Sequence, residues 1–135
     1  MSKTFYLAGK VAGNKALQEL PALSTELESR GHLNIYPWWQ QNVKKPYLEY
    51  RDHNALLAQA MVKAAYEAEV FMLFASPDLL GASIEYGVAL TASEYQLDKR
   101  IYVIGALATR QSIFYTPSQV EVIPSVQSIR ETDWY

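Results

Sequence analysis

The stretch that decides the fold is VFMLFA, which runs from Val70 to Ala75. It is the most continuous apolar run in a chain of 135 residues. A strand that is apolar at every position is buried on both faces, which is typical of the middle of a parallel sheet covered by helices. The sequence therefore predicts an α/β fold with this strand near the centre of the sheet.

Strand-like and helical segments alternate on both sides of this run. Strands are predicted at residues 4–8, 33–38, 70–75, 101–104 and 120–123, and helices at 14–30, 54–69, 82–97 and, briefly, 112–115. Such alternation favours a parallel sheet with right-handed crossovers. We predict a flavodoxin-like, three-layer α/β fold in which residues 1–135 form one domain around a five-stranded parallel sheet of order 2-1-3-4-5.

The composition excludes several classes of protein. Half of the residues are hydrophobic and 19% are charged, and the net charge of -2 gives no basic surface for nucleic acid or membranes. The absence of cysteine excludes disulfides and thiolate sites, and His32 and His53 lack metal-ligand spacing. No signal peptide or transmembrane span is evident. We expect a cytoplasmic protein that uses neither metal nor cofactor.

A ligand site is expected where the loops after strands 1 and 3 meet, at the switch point of the sheet. Glu85 lies close by, in the run GASIEYGVAL that starts at Gly81 and is otherwise small and apolar. Near a helix N-terminus the partial positive charge favours an ionised carboxylate. Gly81 suits a tight turn, and Gly87 permits a close approach by a strand or a ligand. Glu85 is thus a candidate functional carboxylate, with a helix-stabilising glutamate as the alternative.

Other local patterns are weaker. Gly9-Lys10 lacks the remaining residues of a phosphate-binding P-loop, and the spacing from Gly9 to Gly13 does not match the dinucleotide fingerprint. Trp38, at the predicted end of strand 2, suits the stacking of a base, with a rim or dimer contact as the alternative.

Five segments together resemble the nucleoside 2-deoxyribosyltransferase family, which includes relatives that hydrolyse nucleoside monophosphates. They are FYLAG at 5–9, AEVFMLF at 68–74, GASIEYGVA at 81–89, KRIYVIG at 99–105 and IFYTPSQVEVI at 113–123. The similarity covers residues 4–125 in the right order. It implies a flavodoxin-like fold, in agreement with the strand and helix pattern.

The resemblance also implies a chemistry. The glutamate of the family motif, here Glu85, attacks C1′ of the sugar, expels the base and forms a covalent glycosyl-enzyme that a second base or water resolves. Tyr6 would orient the nucleophile or the sugar. The loop that contains Gly9, Lys10 and Gly13 would line the sugar or phosphate end.

Two departures from the family pattern bear on activity. The aspartate that helps to protonate the leaving base in the family is replaced by Met61, and Asp52 is the candidate substitute, with a solvated polar loop and helix cap as the favoured alternative. Leu79 stands where monophosphate-specific members carry a serine, and the neighbouring Asp78 favours a nucleoside over a nucleotide. A member that binds a nucleoside without turnover is the alternative.

The family also shares sites between subunits, which implies a homodimer or larger assembly. Ser112 could contribute across such an interface, and Trp134-Tyr135 could reach a site as the termini of some transferases do. The predicted catalytic residues are Glu85 and Tyr6. The predicted substrate-binding residues are Gly9, Lys10, Gly13, Trp38, Asp52, Asp78, Gly81 and Ser112.

Overall fold

The structure is a computed structural model that describes residues 2–10, 14–77, 79–106 and 111–135. Its strands are β1 (Thr4–Ala8), β2 (Leu33–Asn34), β3 (Val70–Phe74), β4 (Arg100–Ile104) and β5 (Val120–Ile123). Its helices are α1 (Asn14–Ser29), α2 (Arg51–Glu67), α3 (Gly81–Ser93) and α4 (Gln127–Arg130), with short 3-10 helices at Trp38–Gln40 and Ile113–Tyr115. Within the described ranges, no helix has the length and apolar character needed to cross a membrane.

All strand pairs are parallel, and the order is β2-β1-β3-β4-β5. This confirms the predicted topology. β3 lies between β1 and β4, and its residues Val70, Phe71, Met72 and Leu73 are fully buried. The uninterrupted apolar run therefore has the position that its composition predicts.

Alternate side chains of the strands pack into two hydrophobic cores, one on each face of the sheet. One face packs Tyr6, Phe71 and Val103 against α2 and α3. The other face packs Phe5, Leu7 and Met72 against α1 and the C-terminal segment. Residues of α3 that contact Tyr6 therefore lie on the face of the sheet opposite α1.

β2 is shorter than predicted: it ends at Asn34 rather than at residue 38. The side-chain carbonyl of Asn34 accepts a hydrogen bond from the backbone N–H of Tyr36 at 3.0 Å, which turns the chain out of the sheet. Pro37 cannot donate to a strand ladder, and the next residues form the 3-10 helix. Trp38 therefore does not lie at the end of a strand.

The boundaries of two helices also differ from prediction by more than one residue. α2 begins at Arg51, not at residue 54, and ends at Glu67, where Lys99 caps it. The buried ammonium group of Lys99 donates to the carbonyls of Ala65 at 3.0 Å, Tyr66 at 3.1 Å and also Ala68. α3 ends at Ser93, whose hydroxyl donates to the Leu90 carbonyl at 2.7 Å and competes with the helical pattern.

The last residues pack within the chain on the face of the sheet opposite Tyr6. Trp134 is buried in the core around Phe5 and Leu7, and its Nε1 donates to the hydroxyl of Tyr102 at 2.9 Å. The Asp133 carboxylate accepts two hydrogen bonds from Arg100, at 2.6 and 3.0 Å. These contacts tie the tail to β4.

Candidate active site

The centre of the site is a tyrosine and a glutamate that lie 79 residues apart in the chain. Tyr6 projects from the middle of β1 into the core beneath α2 and α3, and it stacks on Phe71 with ring centroids 6.0 Å apart. Its hydroxyl donates a hydrogen bond to Oε2 of Glu85 on α3. The fold thus joins two predicted catalytic residues at the β1–β3 switch point.

Burial controls the charge of Glu85. The side chain is only 9% exposed, and this loss of solvent raises its pKa from 4.5 to about 7, against the lowering effect of the Tyr6 hydrogen bond. Glu85 is the fifth residue of α3, so it lies beyond the first turn. The effect of the helix dipole is concentrated in that first turn. The helix N-terminus therefore favours ionisation of Glu85 less than its place in the sequence suggests, and burial acts against ionisation.

Tyr6 is suited to remain a hydrogen-bond donor. It is fully buried, and burial, followed by the charge of Glu85, raises the pKa of its hydroxyl far above the ordinary value. Because this phenol stays protonated, it can donate a hydrogen bond to the Glu85 carboxylate whenever Glu85 is ionised. Tyr6 donates to Oε2 of Glu85, so Oε1 is the oxygen that receives no hydrogen bond from Tyr6.

The segment after β2 crosses the end of β1 and brings two aromatic residues to this core. Trp38 donates from Nε1 to the Leu7 carbonyl at 2.6 Å, and both Trp38 and Tyr36 pack on the cluster around Tyr6. Tyr36 adds a minor contribution to the raised pKa of Tyr6, after burial and the contact with Glu85. Sequence reasoning did not select Tyr36, although the Asn34 turn that aims it is visible as a turn-forming residue before Pro37.

The residues expected to supply an acid are placed differently. Met61 packs on the same core as Tyr6 and Ala82, and its thioether is not a proton donor. Asp52 lies in the first turn of α2 and is exposed. Within the described part of the chain, the hydrogen bond from Tyr6 is the one recorded for the Glu85 carboxylate, and Asp52 makes none to it.

The predicted glycines have separate roles. A Cβ at Gly9 would lie 3.2 Å from the Cβ of Phe74 and 3.4 Å from Cδ1 of Leu20, so a larger residue at the end of β1 would need these neighbours to shift slightly. Gly81 begins α3, and a Cβ there would meet nothing within 4 Å. Lys10 is exposed. Gly13 and Asp78 lie outside the described residues.

Ser112 lies on the other side of α3 from Glu85. Its hydroxyl accepts a hydrogen bond from the N–H of Phe114 at 3.1 Å and begins the 3-10 helix. Together with Ser83, Tyr86 and Gly87 of α3, it lines a cleft of about 530 Å³. The structure therefore separates Ser112 from the Glu85 carboxylate within one chain.

Comparison with known proteins extends the description of the fold. No protein-family model and no curated protein matches the sequence. The 2-deoxyribosyltransferase from Bacillus psychrosaccharolyticus matches with a TM-score of 0.68 and 16% identity, over 97% of this chain and 93% of that one. The Clostridium botulinum CMP N-glycosidase BcmB matches with a TM-score of 0.61 and 20% identity, over 98% of this chain and 100% of that one. The fold is the same. At these identities the likeness establishes architecture over nearly the whole chain.

Proposed function

We propose that this protein cleaves the N-glycosidic bond of a nucleoside or deoxynucleoside, with Glu85 as the nucleophile. The observation that carries the proposal is the buried pair in which Tyr6 donates to the Glu85 carboxylate at the switch point of the sheet. The fold shared with a deoxyribosyltransferase and a CMP N-glycosidase supports the same chemistry.

In the first step, Oε1 of ionised Glu85 attacks C1′ of the sugar while the bond from C1′ to the base nitrogen breaks. The electron pair of that bond leaves with the base, which takes up a proton, and the sugar becomes an ester of Glu85. The transition state has oxocarbenium character, which a nearby carboxylate stabilises. Tyr6, bonded to Oε2, fixes the carboxylate so that Oε1 faces the anomeric carbon.

In the second step, a nitrogen of another base, or water, attacks C1′ and the ester bond breaks. The electron pair returns to Oε1, and the attacking group loses a proton. Tyr6 stabilises the departing carboxylate through the hydrogen bond that it already donates. With a pKa of about 7, Glu85 is ionised and able to attack at neutral and higher pH.

A second candidate function is the binding of a nucleoside without turnover. Met61 favours it, because a thioether at this position cannot protonate a leaving base and the exposed Asp52 makes no contact with Glu85. General-acid help contributes about 10²–10⁴-fold to reactions of this type. Homo-oligomeric assembly and a cytoplasmic location stay predictions.

The direct test is incubation of the protein with 2′-deoxyinosine and free adenine, followed by chromatography. The proposal expects either deoxyadenosine or hypoxanthine with free sugar, and expects both activities to be lost in Glu85→Ala. Glu94→Ala, at an exposed glutamate just after α3, is the matched control and should keep full activity. Stabilisation by nucleosides without product, across nucleosides and monophosphates, would favour the binding function.

A further inference from the structure

Phe71 contacts the ring that donates to Glu85. It stands on β3 directly opposite Tyr6 in the parallel register of β1 and β3, and both side chains belong to the core beneath α2 and α3. The two rings stack with centroids 6.0 Å apart and an angle of 26° between their planes. Aromatic pairs at this separation have preferred relative orientations. Phe71 therefore supports the ring that carries the donor hydroxyl.

The same phenylalanine supports α3 beside the acceptor. Tyr86 follows Glu85 in α3, and its ring centroid lies 6.3 Å from that of Phe71 at an angle of 49°. Tyr86 is also held by the segment after β4, because Tyr115 meets it edge to face at 5.5 Å and its hydroxyl donates to the Phe114 carbonyl. The backbone of α3 next to Glu85 is therefore positioned against Phe71.

The packing around Phe71 leaves little freedom for either partner. Tyr6, Phe71 and Ile101 form a row across β1, β3 and β4 on one face of the sheet. Each of the three side chains is at most 1% exposed. Protein cores are packed about as densely as organic crystals, so a ring in this row has no space to turn unless a neighbour becomes smaller. A smaller or non-planar side chain at position 71 would create that space.

The hydrogen bond depends on this placement. A hydroxyl must approach its acceptor to within about 3 Å and in a favourable direction, and the bond weakens steeply when it is misaligned. The Tyr6 hydroxyl lies at the far end of a rigid ring, so a small tilt at Cβ moves the oxygen by a larger distance. Phe71 carries no polar atom in its side chain, so it acts on Glu85 through the positions of Tyr6 and α3.

We propose that Phe71 is a positioning residue for the Tyr6–Glu85 pair. Its ring sets the tilt of Tyr6 and the position of α3 at Tyr86, and so aligns the donor hydroxyl with Oε2 of Glu85. This alignment is a property of the free protein, whereas its consequence for catalysis rests on the proposed function. In that reaction, the direction in which Oε1 faces the sugar depends on a residue that does not touch the substrate.

The test is titration of the Glu85 carboxyl group in the free protein, followed by carbon NMR of protein labelled at the side-chain carboxyl of glutamate. Tyr6→Phe removes the hydrogen bond altogether, which should raise the midpoint by about one pH unit. Phe71→Leu should raise it by about half of that shift or more, because the hydroxyl is misaligned. Phe71→Met, which is closer in volume, should act in the same direction while it keeps the core filled.

Phe5 offers a matched control. It precedes Tyr6 on β1 and is equally buried, but its side chain packs in the core on the other face of the sheet. Phe5→Leu and Phe5→Met should reduce stability to a similar extent and leave the midpoint within about 0.2 pH unit of wild type. Phe71→Leu combined with Tyr6→Phe should give the midpoint of Tyr6→Phe alone, because no hydroxyl remains to be aligned. All proteins are compared at a temperature where denaturation curves show them to be folded.

Three results would overturn the proposal. One is a midpoint in folded Phe71→Leu and Phe71→Met that stays at the wild-type value or falls. Another is an equal shift in Phe5→Leu, which would show a general loosening of the core. The third is a further shift when Phe71→Leu is added to Tyr6→Phe, which would show that Phe71 does not act through the hydroxyl. The titration needs no substrate, so its outcome is independent of whether the protein cleaves nucleosides. In a protein that does, the pH profile of kcat/KM should move with the midpoint.

Discussion

At the scale of single residues, the burial that raises the pKa of Glu85 also sets a stability cost. The folded state holds this proton up to about pH 7, whereas an ordinary glutamate releases it near 4.5. Stability is therefore fully present below the unfolded-state pKa and falls as pH rises through the folded-state pKa. A shift of this size corresponds to about 3 kcal/mol above neutral pH.

This gives a prediction for Glu85→Gln, which keeps the shape of the protonated side chain. Its free energy of unfolding should exceed that of wild type by an amount approaching about 3 kcal/mol at alkaline pH, and by little in acid. Urea denaturation of both proteins across the pH range measures the difference. A difference that does not change with pH would show that burial does not control the charge of Glu85.

Removing the Tyr6 hydroxyl should shift the pH dependence of the proposed reaction. Tyr6→Phe loses the hydrogen bond that lowers the pKa of Glu85, so this pKa should rise further above 7. The activity that needs ionised Glu85 should then begin about one pH unit higher, as expected for the loss of a charged hydrogen bond. The pH profile of kcat/KM measures this. Tyr102→Phe, on the other face of the sheet, is the control and should leave the profile in place.

At the scale of elements, Lys99 is the clearest example of a side chain that ends a helix. Its ammonium group donates to three carbonyls at the C-terminal end of α2. Lys99→Met should lower the free energy of unfolding by about 2–4 kcal/mol, because these buried carbonyls would lose a charged donor. Lys63→Met is the matched control: Lys63 is exposed on α2 and 4.0 Å from Glu67, so its loss should change stability by less than about 1 kcal/mol. Equal effects in chemical denaturation would contradict the capping role.

The sequence was informative for elements whose pattern is set by the core. VFMLFA predicted a central strand, in which its first four side chains are fully buried, and the alternation of elements predicted the strand order. It was less informative where side chains redirect the backbone. The early end of β2 depends on the Asn34 side chain, and the end of α2 depends on a lysine 32 residues beyond Glu67.

The same distinction applies to the candidate site. The motif around Glu85 selected the carboxylate, but its pKa follows from a burial that local sequence does not reveal. Tyr36 was missed because its place beside Tyr6 depends on the path of the chain after β2. Ser112 was predicted to act across a subunit interface, and within one chain it lies across α3 from Glu85.

At the scale of the whole molecule, one face of the sheet carries Tyr6, where the proposed chemistry takes place. The other face carries a core that serves stability. Trp134 closes the core opposite Tyr6 and packs edge to face on His32, with ring centroids 5.4 Å apart. Trp134→Ala should lower the free energy of unfolding by about 3–5 kcal/mol. At a temperature where the variant is folded, its kcat should match wild type. A large loss of kcat in fully folded variant would show that the tail contributes to the site.

The central claim is that Glu85 becomes covalently attached to the sugar, and rapid-quench mass spectrometry of the intact and digested protein tests it most directly. The protein is mixed with a 2′-deoxynucleoside and stopped in acid within the first turnover. The account predicts a mass gain of one deoxyribosyl group on the peptide that contains Glu85, and none in Glu85→Gln. Turnover that proceeds without this adduct and survives in Glu85→Gln would contradict it.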